Sequence, residues 1–254
     1  MIVDGRIIAE RVYASLAASR PLTLGILVAG ANPVPRPLVR TKEQAAAHLG
    51  VTLVREDLPA HATTEDALRA IAALAEKSDG IIVQLPLPHG IDVDAVLAAI
   101  PPHKDVDGIS PLPNVRPPVA GAVAEILGYE LIPTKERRVV VIGSGRLVGK
   151  PVAALLKEYG AEVFVIEKGD SLAALIEADI IISGAGEPGL IRPEHVKDGV
   201  VIIDAGTSEI GGKVAGDADP ACAEKASIFT PVPGGVGPIA VAMIFKNLYT
   251  LAGK

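Results

Sequence analysis

The sequence of 254 residues predicts an α/β fold with two α/β domains. Short apolar runs of strand length alternate along the chain with longer segments of helical periodicity, the pattern of strand–helix–strand units. Most of the short runs are continuously apolar, which is typical of parallel strands covered on both faces. Two proline- and glycine-rich segments without periodicity, at 103–118 and 230–238, predict domain boundaries. We therefore expect one domain at 1–118 plus 238–254 and a second at 119–237.

The predicted strands are rich in Val, Ile and Leu and lie at residues 22–28, 51–55, 80–84, 138–142, 162–166, 180–183 and 200–204. Helical spacing is clearest at 64–77, where Leu68, Ile71 and Leu74 share one face after a threonine cap. Further helices are predicted at 92–100, 148–159 and 239–251. A last helix that returns to the first domain predicts a cleft between the domains, where small ligands usually bind.

Composition excludes several classes of protein. The chain has 24 Lys and Arg against 30 Asp and Glu, a net charge of −6, and no basic stripe, so nucleic acid is not expected as a partner. No apolar run approaches the ~20 residues that cross a bilayer, and no secretory signal is expected from the start MIVDGRIIAE. The single Cys222 and five scattered histidines predict neither a disulfide nor a metal site. A cytoplasmic enzyme is the expectation.

A glycine-rich loop, GSGRLVG at 143–149, joins the strand predicted at 138–142 to the helix that follows. Gly143 and Gly145 allow the backbone to approach a pyrophosphate, and the helix N-terminus presents free N–H groups to it. The other loop residues expected to contact the cofactor are Ser144, Arg146, Leu147 and Val148, the last standing where the common GxGxxG pattern has its third glycine. The loop predicts a Rossmann-type dinucleotide-binding domain, and a tight turn without a ligand is the alternative.

The end of the next predicted strand indicates which dinucleotide is bound. Glu167 lies 24 residues after Gly143, where an acidic residue binds the adenosine ribose hydroxyls and repels a 2′-phosphate. This favours NAD over NADP. Lys168 follows immediately and could attract the phosphate instead, so NADP stays open, and Glu167 could also be a solvated strand end.

Three segments in this order carry a resemblance to a known family. They contain QLPLP (84–88) followed by KDVDG (104–108), the glycine loop GSGRLVGKPVAALL (143–156), and PVPGGVGP (231–238). The sequence resembles the bifunctional methylenetetrahydrofolate dehydrogenase/methenyltetrahydrofolate cyclohydrolase family, with weaker similarity over nearly the whole chain. The resemblance implies a folate-binding domain that includes the last helix, a nicotinamide cofactor domain, a folate cleft between them, and a homodimer.

The resemblance also implies roles for individual residues. Lys42 matches the catalytic lysine, Gln84 the glutamine beside it, and Asp107 the aspartate that binds the pterin ring. The remaining matches are a folate contact at Leu38, the cofactor–folate junction at Pro233, Gly234 and Gly235, the pyrophosphate loop at Gly143–Gly145, and a nicotinamide-side contact at Thr207.

The three catalytic residue types suit this chemistry. A buried lysine with a lowered pKa can shuttle protons, Gln84 can hydrogen-bond it without adding charge, and Asp107 can accept from a donor-rich pterin edge. Without the resemblance, Lys42 is a solvated helix lysine and Asp107 a turn former.

The sequence departs from the family pattern around the expected cleft. Leu38 and Pro35 stand where the family has a tyrosine and a serine, and Ser144 stands where an arginine is usual. Leu38 cannot orient an ammonium group, which places more weight on the dehydrogenase activity than on the cyclohydrolase activity. Two alternatives remain: a dehydrogenase of another pterin carrier such as methylene-tetrahydromethanopterin, and a non-catalytic protein that binds nucleotide or folate.

Overall fold

A computed structural model of the chain describes residues 1–30 and 36–253, without the side chains of residues 36–39. The residues divide into two compact units, Met1–Arg11 with Val119–Ala240 and Val12–Pro118 with Val241–Lys254. Each unit contains one parallel sheet, of five strands in the first and three strands in the second. We call them the five-stranded unit and the three-stranded unit.

The helices are α1 (Gly5–Ala14), α2 (Arg36–Leu49), α3 (Thr64–Lys77), α4 (Val93–Ala98), α5 (Pro118–Tyr129), α6 (Gly149–Glu158) and α7 (Val236–Ala252). The strands are β1 (Thr23–Ala29), β2 (Thr52–Leu58), β3 (Gly80–Val83), β4 (Arg138–Ile142), β5 (Glu162–Ile166), β6 (Ile180–Ser183), β7 (Val201–Asp204), β8 (Ser208–Ile210), β9 (Lys213–Ala215) and β10 (Ile228–Phe229). Short 3₁₀ helices lie at Leu172–Glu177, Pro193–His195 and Pro220–Glu224. No helix among the described residues has the length and apolar character that crossing a membrane requires.

The three-stranded sheet has the order β2-β1-β3 and is parallel throughout. All four residues of the short strand β3 are buried, as the continuously apolar run predicts for a covered parallel strand. Helix α3 covers this sheet with Ala67, Ala70, Ile71 and Leu74. The helix begins at a capping box formed by Thr63 and Asp66, which satisfies two backbone N–H groups at its start.

The five-stranded sheet has the order β10-β7-β6-β4-β5 and is also parallel. The chain leaves β4 toward β5 on one side and then returns to place β6 on the other side of β4. This reversal is a topological switch point, and ligands of open α/β sheets bind beyond the carboxyl ends of the strands at such a point. The fold is therefore the mixed α/β type expected from the sequence, with a Rossmann-type parallel sheet in the five-stranded unit.

The first eleven residues differ from the expected domain division, which placed them with Lys42. They group with the five-stranded unit because backbone hydrogen bonds tie them to its edge strand and the following loop. Val3 donates its N–H to the carbonyl oxygen of Phe229, and Gly5 donates to that of Gly234, both at 2.9 Å. Ile2 also pairs with Phe229 in an isolated parallel bridge, so the first residues of the chain extend the sheet beyond β10.

Several elements were not predicted. Helix α5 consists of apolar and small residues apart from Glu125, and Ala120, Ala122, Val123 and Ile126 are buried, so its sequence has little helical periodicity. The β8–β9 hairpin turns at Gly211 and Gly212, whose φ angles of 57° and 78° suit a primed hairpin turn. Strand β2 continues three residues beyond the predicted end because its charged side chains lie at a sheet edge open to solvent.

Candidate active site

The three-stranded unit brings Lys42 and Gln84 into direct contact. Lys42 lies on α2 and Gln84 directly follows β3, where its N–H continues the ladder by donating to Leu27 at 2.9 Å. Lys42 Nζ donates to Gln84 Oε1 at 2.9 Å, and Gln84 Nε2 donates to the carbonyl oxygen of Leu85 at 3.1 Å. The second bond uses the amide nitrogen and leaves the amide oxygen for the lysine.

Burial and neighbouring charge shift the pKa of two groups in this cluster. Burial lowers the pKa of Lys42 because it disfavours the charged form, and the charge of Asp107 opposes that change. Burial raises the pKa of Asp107 to about 6, the charge of Lys42 opposes this, and the charge of Asp105 adds to it. Lys42 and Asp107 therefore influence each other electrostatically. Each neutral form, the free amine and the protonated carboxyl group, is more accessible near neutral pH than it is in water.

The loop that carries Asp107 is fixed by its neighbours. Asp105 is completely buried, and its Oδ2 accepts a hydrogen bond from the backbone N–H of Ser110 at 2.8 Å. Ile81 of β3 donates its N–H to Lys104 at 2.7 Å. Gly108 has a φ of +60°, and a Cβ atom there would lie 2.7 Å from the carbonyl oxygen of Val115. Asp107 thus projects from a loop with little conformational freedom, between two residues that are held in place.

A residue that sequence reasoning missed also holds this loop. Asn247 of α7 is buried, and its Nδ2 donates to the carbonyl oxygens of Val106 and Arg116, both at 2.8 Å. One side chain thereby joins the two ends of the proline-rich segment. The only sequence signal was an amide residue within an apolar helix.

The five-stranded unit contains the predicted glycine loop at the carboxyl end of β4. Gly143 has a φ of +89° and donates its N–H to Ile166 at the end of β5 at 2.9 Å. Gly149 is buried at the start of α6, where a Cβ atom would lie 1.8 Å from the carbonyl oxygen of Gly143. Gly149 therefore performs the helix–strand packing that the third glycine has in the common pattern, and Val148 before it has no such requirement.

The open side of this loop fits a dinucleotide. Gly145 is exposed, and a Cβ atom there would meet nothing within 4 Å, so protein packing does not explain the glycine. The N-cap residue Val148 makes no side-chain hydrogen bond to the first turn of α6. An exposed glycine beside a helix start without a side-chain cap is the cradle that a pyrophosphate requires. Ser144 is half-buried, whereas Arg146 and Leu147 are exposed on the loop.

The remaining predicted cofactor contacts lie at the carboxyl ends of neighbouring strands. Glu167 and Lys168 are exposed directly after β5, in a turn where Asp170 Oδ2 accepts the N–H of Glu167 at 2.8 Å. Thr207 is exposed after β7. These positions are on the same edge of the sheet as Gly143, as parallel strands require.

The predicted junction loop belongs to the five-stranded unit. Gly234 has a φ of +110°, and Gly235 is buried and donates its N–H to Pro231 at 2.7 Å. A Cβ atom at Gly5 would lie 1.8 Å from the carbonyl oxygen of Gly235, so α1 begins directly against this loop. Pro233 is exposed. Pro35 and the side chain of Leu38 lie outside the described residues.

No group of three or more His, Cys, Asp and Glu residues that could hold a metal ion occurs within the described part of the chain. The fold and the site define the class of protein. It is an α/β protein with a parallel sheet and a dinucleotide-type glycine loop in one unit and a lysine–glutamine–aspartate cluster in the other.

Two family models cover nearly all of the chain. The model described as the catalytic domain of tetrahydrofolate dehydrogenase/cyclohydrolase matches residues 3–107, and the model described as the NAD(P)-binding domain of the same enzyme matches residues 117–254. The chain belongs to the tetrahydrofolate dehydrogenase/cyclohydrolase family. It is an enzyme of one-carbon metabolism with an NAD(P)-binding domain.

Individual relatives agree with the family models. The bifunctional protein FolD of Halothermothrix orenii is 38% identical over an alignment of 271 positions, which covers 97% of this chain and 95% of the relative. The crystal structure of Trypanosoma brucei N5,N10-methylenetetrahydrofolate dehydrogenase-cyclohydrolase, complexed with NADP cofactor and inhibitor, is 34% identical. It has a TM-score of 0.94 and covers 100% of this chain and 97% of its own. The corresponding Campylobacter jejuni enzyme is 31% identical, with a TM-score of 0.93 and coverage of 100% and 98%.

Proposed function

We propose that this enzyme oxidises 5,10-methylenetetrahydrofolate to 5,10-methenyltetrahydrofolate with NAD or NADP and hydrolyses the product to 10-formyltetrahydrofolate. The observation that carries the proposal is the 2.9 Å hydrogen bond between Lys42 Nζ and Gln84 Oε1, in a cluster where the pKa of the lysine is lowered. Asp107 belongs to the same cluster because its charge acts on Lys42. Such an arrangement serves proton transfer beside a bound pterin.

In the hydrolysis, water adds to the methenyl carbon and loses a proton. Neutral Lys42 accepts this proton, since its lowered pKa increases the fraction of free amine. Gln84 accepts one N–H of the amine, which leaves the nitrogen lone pair for the water. The ammonium group then returns the proton to the N5 nitrogen as the C–N5 bond breaks. The hydroxyl group of the adduct loses its proton to solvent as the carbonyl forms, which gives the 10-formyl product and accounts for the one proton released overall.

In the oxidation, the chain mainly positions its substrates. The folate nitrogens stabilise the cation that forms when hydride leaves the one-carbon bridge, so the protein needs no strong base at that step. Asp107 accepts hydrogen bonds from the pterin, and the Gly143–Gly145 turn and the start of α6 receive the pyrophosphate. The nicotinamide ring supplies the hydride acceptor when the cofactor is bound. Pro233, Gly234, Gly235 and Thr207 line the nicotinamide side in this proposal.

Leu38 in place of the family's tyrosine gives Gln84 a larger share of the orientation of Lys42. An aliphatic side chain cannot accept a hydrogen bond from an ammonium group. We therefore propose that the hydrogen bond to Gln84 Oε1 sets the orientation of the Lys42 side chain. We propose that the enzyme retains both activities.

We propose NAD as the preferred cofactor. Glu167 is exposed directly after β5, where its carboxylate can accept from the ribose hydroxyls and repel a 2′-phosphate. Ser144 in the glycine loop supplies no cation for that phosphate. Lys168 favours NADP from the same turn, so the preference is a balance between adjacent charges.

We also propose that two copies of the chain form a homodimer through β5, and that the enzyme works in the cytoplasm. Strand β5 is at the edge of its sheet, and Phe164 and Val165 are each 41% exposed there. Val165→Asp should convert dimer to monomer in sedimentation analysis, whereas Val214→Asp, at a valine 38% exposed on β9, should not. A monomeric parent protein would refute the dimer. Cell fractionation tests the location.

The decisive experiment for the activity uses two assays. Purified protein is mixed with 5,10-methylenetetrahydrofolate and either cofactor while methenyl absorbance is followed, and the loss of the methenyl compound is then measured without cofactor. We expect turnover in both assays. No turnover of either folate would refute the proposal, and turnover of the tetrahydromethanopterin compound alone would assign a different carrier.

A further inference from the structure

Two buried carboxylates lie at the carboxyl edge of the five-stranded sheet and have no role in the chemistry proposed above. Asp204 ends β7 and is 1% exposed, and Asp217 follows β9 and is 0% exposed. Burial raises the pKa of Asp204 to about 6, and the charge of Asp217 adds to this effect. Two like charges in one buried site are costly unless hydrogen bonds compensate them.

Asp217 organises the loop after β6. Its Oδ2 accepts hydrogen bonds from Ser183 Oγ at 2.6 Å and from the backbone N–H groups of Ala185 at 2.8 Å and Gly186 at 3.2 Å. Its Oδ1 accepts the N–H of Glu187 at 2.7 Å. Three successive backbone N–H groups of one loop therefore point at a single side chain, which fixes the path of residues 184–187.

Asp204 organises the neighbouring turn. Its Oδ1 accepts the N–H of Gly206 at 2.9 Å, and its Oδ2 accepts the N–H of Ala218 at 2.8 Å. The first bond shapes the turn that leads to Thr207. The second holds the segment that carries Asp217, so the two carboxylates form one brace across both loops.

Glycines make room for this brace. A Cβ atom at Gly206 would lie 2.2 Å from Cγ of Asp217, and a Cβ atom at Gly216 would lie 2.2 Å from Oδ2 of Asp204. Neither glycine has a positive φ angle, so backbone conformation does not require them. Their small size is needed because the carboxylates pack against the backbone.

The loop held by Asp217 lies directly against the proposed cofactor loop. A Cβ atom at Gly184 would lie 2.4 Å from Cγ1 of Val148, and one at Gly143 would lie 3.1 Å from the carbonyl oxygen of Gly184. This contact is between the ends of β4 and β6, at the topological switch point of the sheet. A displacement of residues 184–187 therefore changes the wall of the dinucleotide site.

We infer that Asp217 and Asp204 are positioning residues for the nicotinamide cofactor: they hold the loops after β6 and β7 in the shape that the bound dinucleotide needs. The inference rests on the proposed function, because it takes the Gly143 loop as the cofactor site. Neither carboxylate need touch substrate or cofactor. Both act through the backbone N–H groups that they accept.

The test is Asp217→Asn, which keeps the side-chain volume but replaces one acceptor oxygen by an N–H₂ group that faces N–H donors. We expect the KM for the cofactor in the oxidation to rise about 10-fold or more, because displacement of a positioning group by about 1 Å has effects of this size. Hydrolysis of the methenyl compound needs no cofactor, so its rate should stay within about 2-fold of the parent. Asp219→Asn is the matched control, since the Asp219 carboxylate caps a short helix by accepting from Ala221, whereas the N–H groups of residues 185–187 donate to Asp217.

Three results would overturn the inference: an unchanged cofactor KM, an equal loss of both activities with a fall in melting temperature, or the same KM increase in Asp219→Asn. If Asp217→Asn fails to fold, Ser183→Ala removes one of the four bonds and should raise the cofactor KM by a smaller factor. Binding of the reduced cofactor, followed by nicotinamide fluorescence, tests the brace even if the parent oxidises no folate. Weaker binding to Asp217→Asn than to the parent supports the brace, and equal binding refutes it.

Discussion

Lys42 and Gln84 lie 42 positions apart in the sequence, yet Lys42 Nζ donates a hydrogen bond to Gln84 Oε1 at 2.9 Å. A helix and the end of a parallel strand bring them together, and the backbone N–H of Gln84 is itself bonded to the neighbouring strand. Because Lys42 is half-buried, its charged form is disfavoured. Its hydrogen-bond partner, Gln84, is a neutral amide. A neutral acceptor orients the amine without returning its pKa to the ordinary value.

Replacing Lys42 by methionine should abolish hydrolysis of the methenyl compound. The side chain keeps a similar volume but cannot accept or return a proton, and loss of a general base costs ~100-fold or more. The rate of loss of methenyl absorbance measures the effect. Lys77→Met, at an exposed lysine on α3, is the control and should retain the parent rate. Hydrolysis by Lys42→Met at the parent rate would remove Lys42 from the mechanism.

Replacing Gln84 by glutamate should move the pH profile of hydrolysis to higher pH. A carboxylate beside the ammonium group favours its charged form, so the pKa of Lys42 should rise and the free amine should appear only at higher pH. Rates measured between pH 6 and 10 determine the shift. Gln84→Met removes the acceptor without adding charge and should lower the rate without an alkaline shift. A profile unchanged in Gln84→Glu would contradict the pairing.

Binding of folate should weaken as the pH falls through about 6. The pKa of Asp107 is raised to about 6, so the carboxylate is ionised above that value and becomes protonated below it. Protonation removes a charged acceptor for the pterin, and a charged hydrogen bond contributes ~1.5–3 kcal/mol. Calorimetric titration with tetrahydrofolate between pH 5 and 8 tests this. The Asp107→Asn variant should bind tetrahydrofolate weakly at every pH in that range. If the affinity of the parent enzyme did not depend on pH, Asp107 would not be the pterin acceptor.

The double substitution Glu167→Ser with Ser144→Arg should shift the cofactor preference toward NADP. It removes the charge that repels the 2′-phosphate and adds a guanidinium group that can bind it. We expect the ratio of kcat/KM for NADP to that for NAD to rise ~10-fold or more. Each single variant separates the two contributions. Unchanged KM values for both cofactors would show that these residues do not contact the adenosine ribose or its 2′-phosphate.

Two glycines of one loop should respond differently to alanine. Gly149→Ala places a Cβ atom 1.8 Å from the carbonyl oxygen of Gly143 and should lower the free energy of unfolding by about 1–3 kcal/mol. Gly145→Ala meets only open space, so it should leave the melting temperature unchanged and raise the cofactor KM. Thermal melting and cofactor kinetics on the same preparations separate the two effects. A destabilised Gly145→Ala would contradict the assignment of that glycine to a ligand.

Local sequence was sufficient for the central strands. The predicted bounds of the central strands β4 and β6 agree with the structure because strands covered on both faces are almost continuously apolar. The predicted bounds of the edge strand β5 agree as well, although three of its five residues are exposed. The edge strand β2 was predicted too short because its exposed residues include charges. Helix α5 was missed because a helix that is apolar at almost every position has little periodicity.

Some features of the candidate site could be recognised from the sequence and others could not. The glycine loop could be recognised from the sequence because a strand, a turn and a helix are consecutive, although the packing role of Gly149 needed coordinates. Asp204 and Asp217 could not be recognised, because a buried carboxylate and a surface carboxylate have the same letter in the sequence. In the structure, Asp217 differs from Asp219, two residues later, in its complete burial and in the N–H groups that surround it.

By itself, the sequence determined the α/β class, the position of the dinucleotide loop and the resemblance to the family, because each strand, helix and motif is a short continuous segment and their order is read along the chain. The tertiary structure decided which side chains meet. It joined Lys42 to Gln84, placed Asn247 across the Asp107 loop and assigned the first eleven residues to the five-stranded unit. Contacts between distant segments follow from how helices and sheets pack, and that packing depends on burial summed over the whole fold rather than on any one segment.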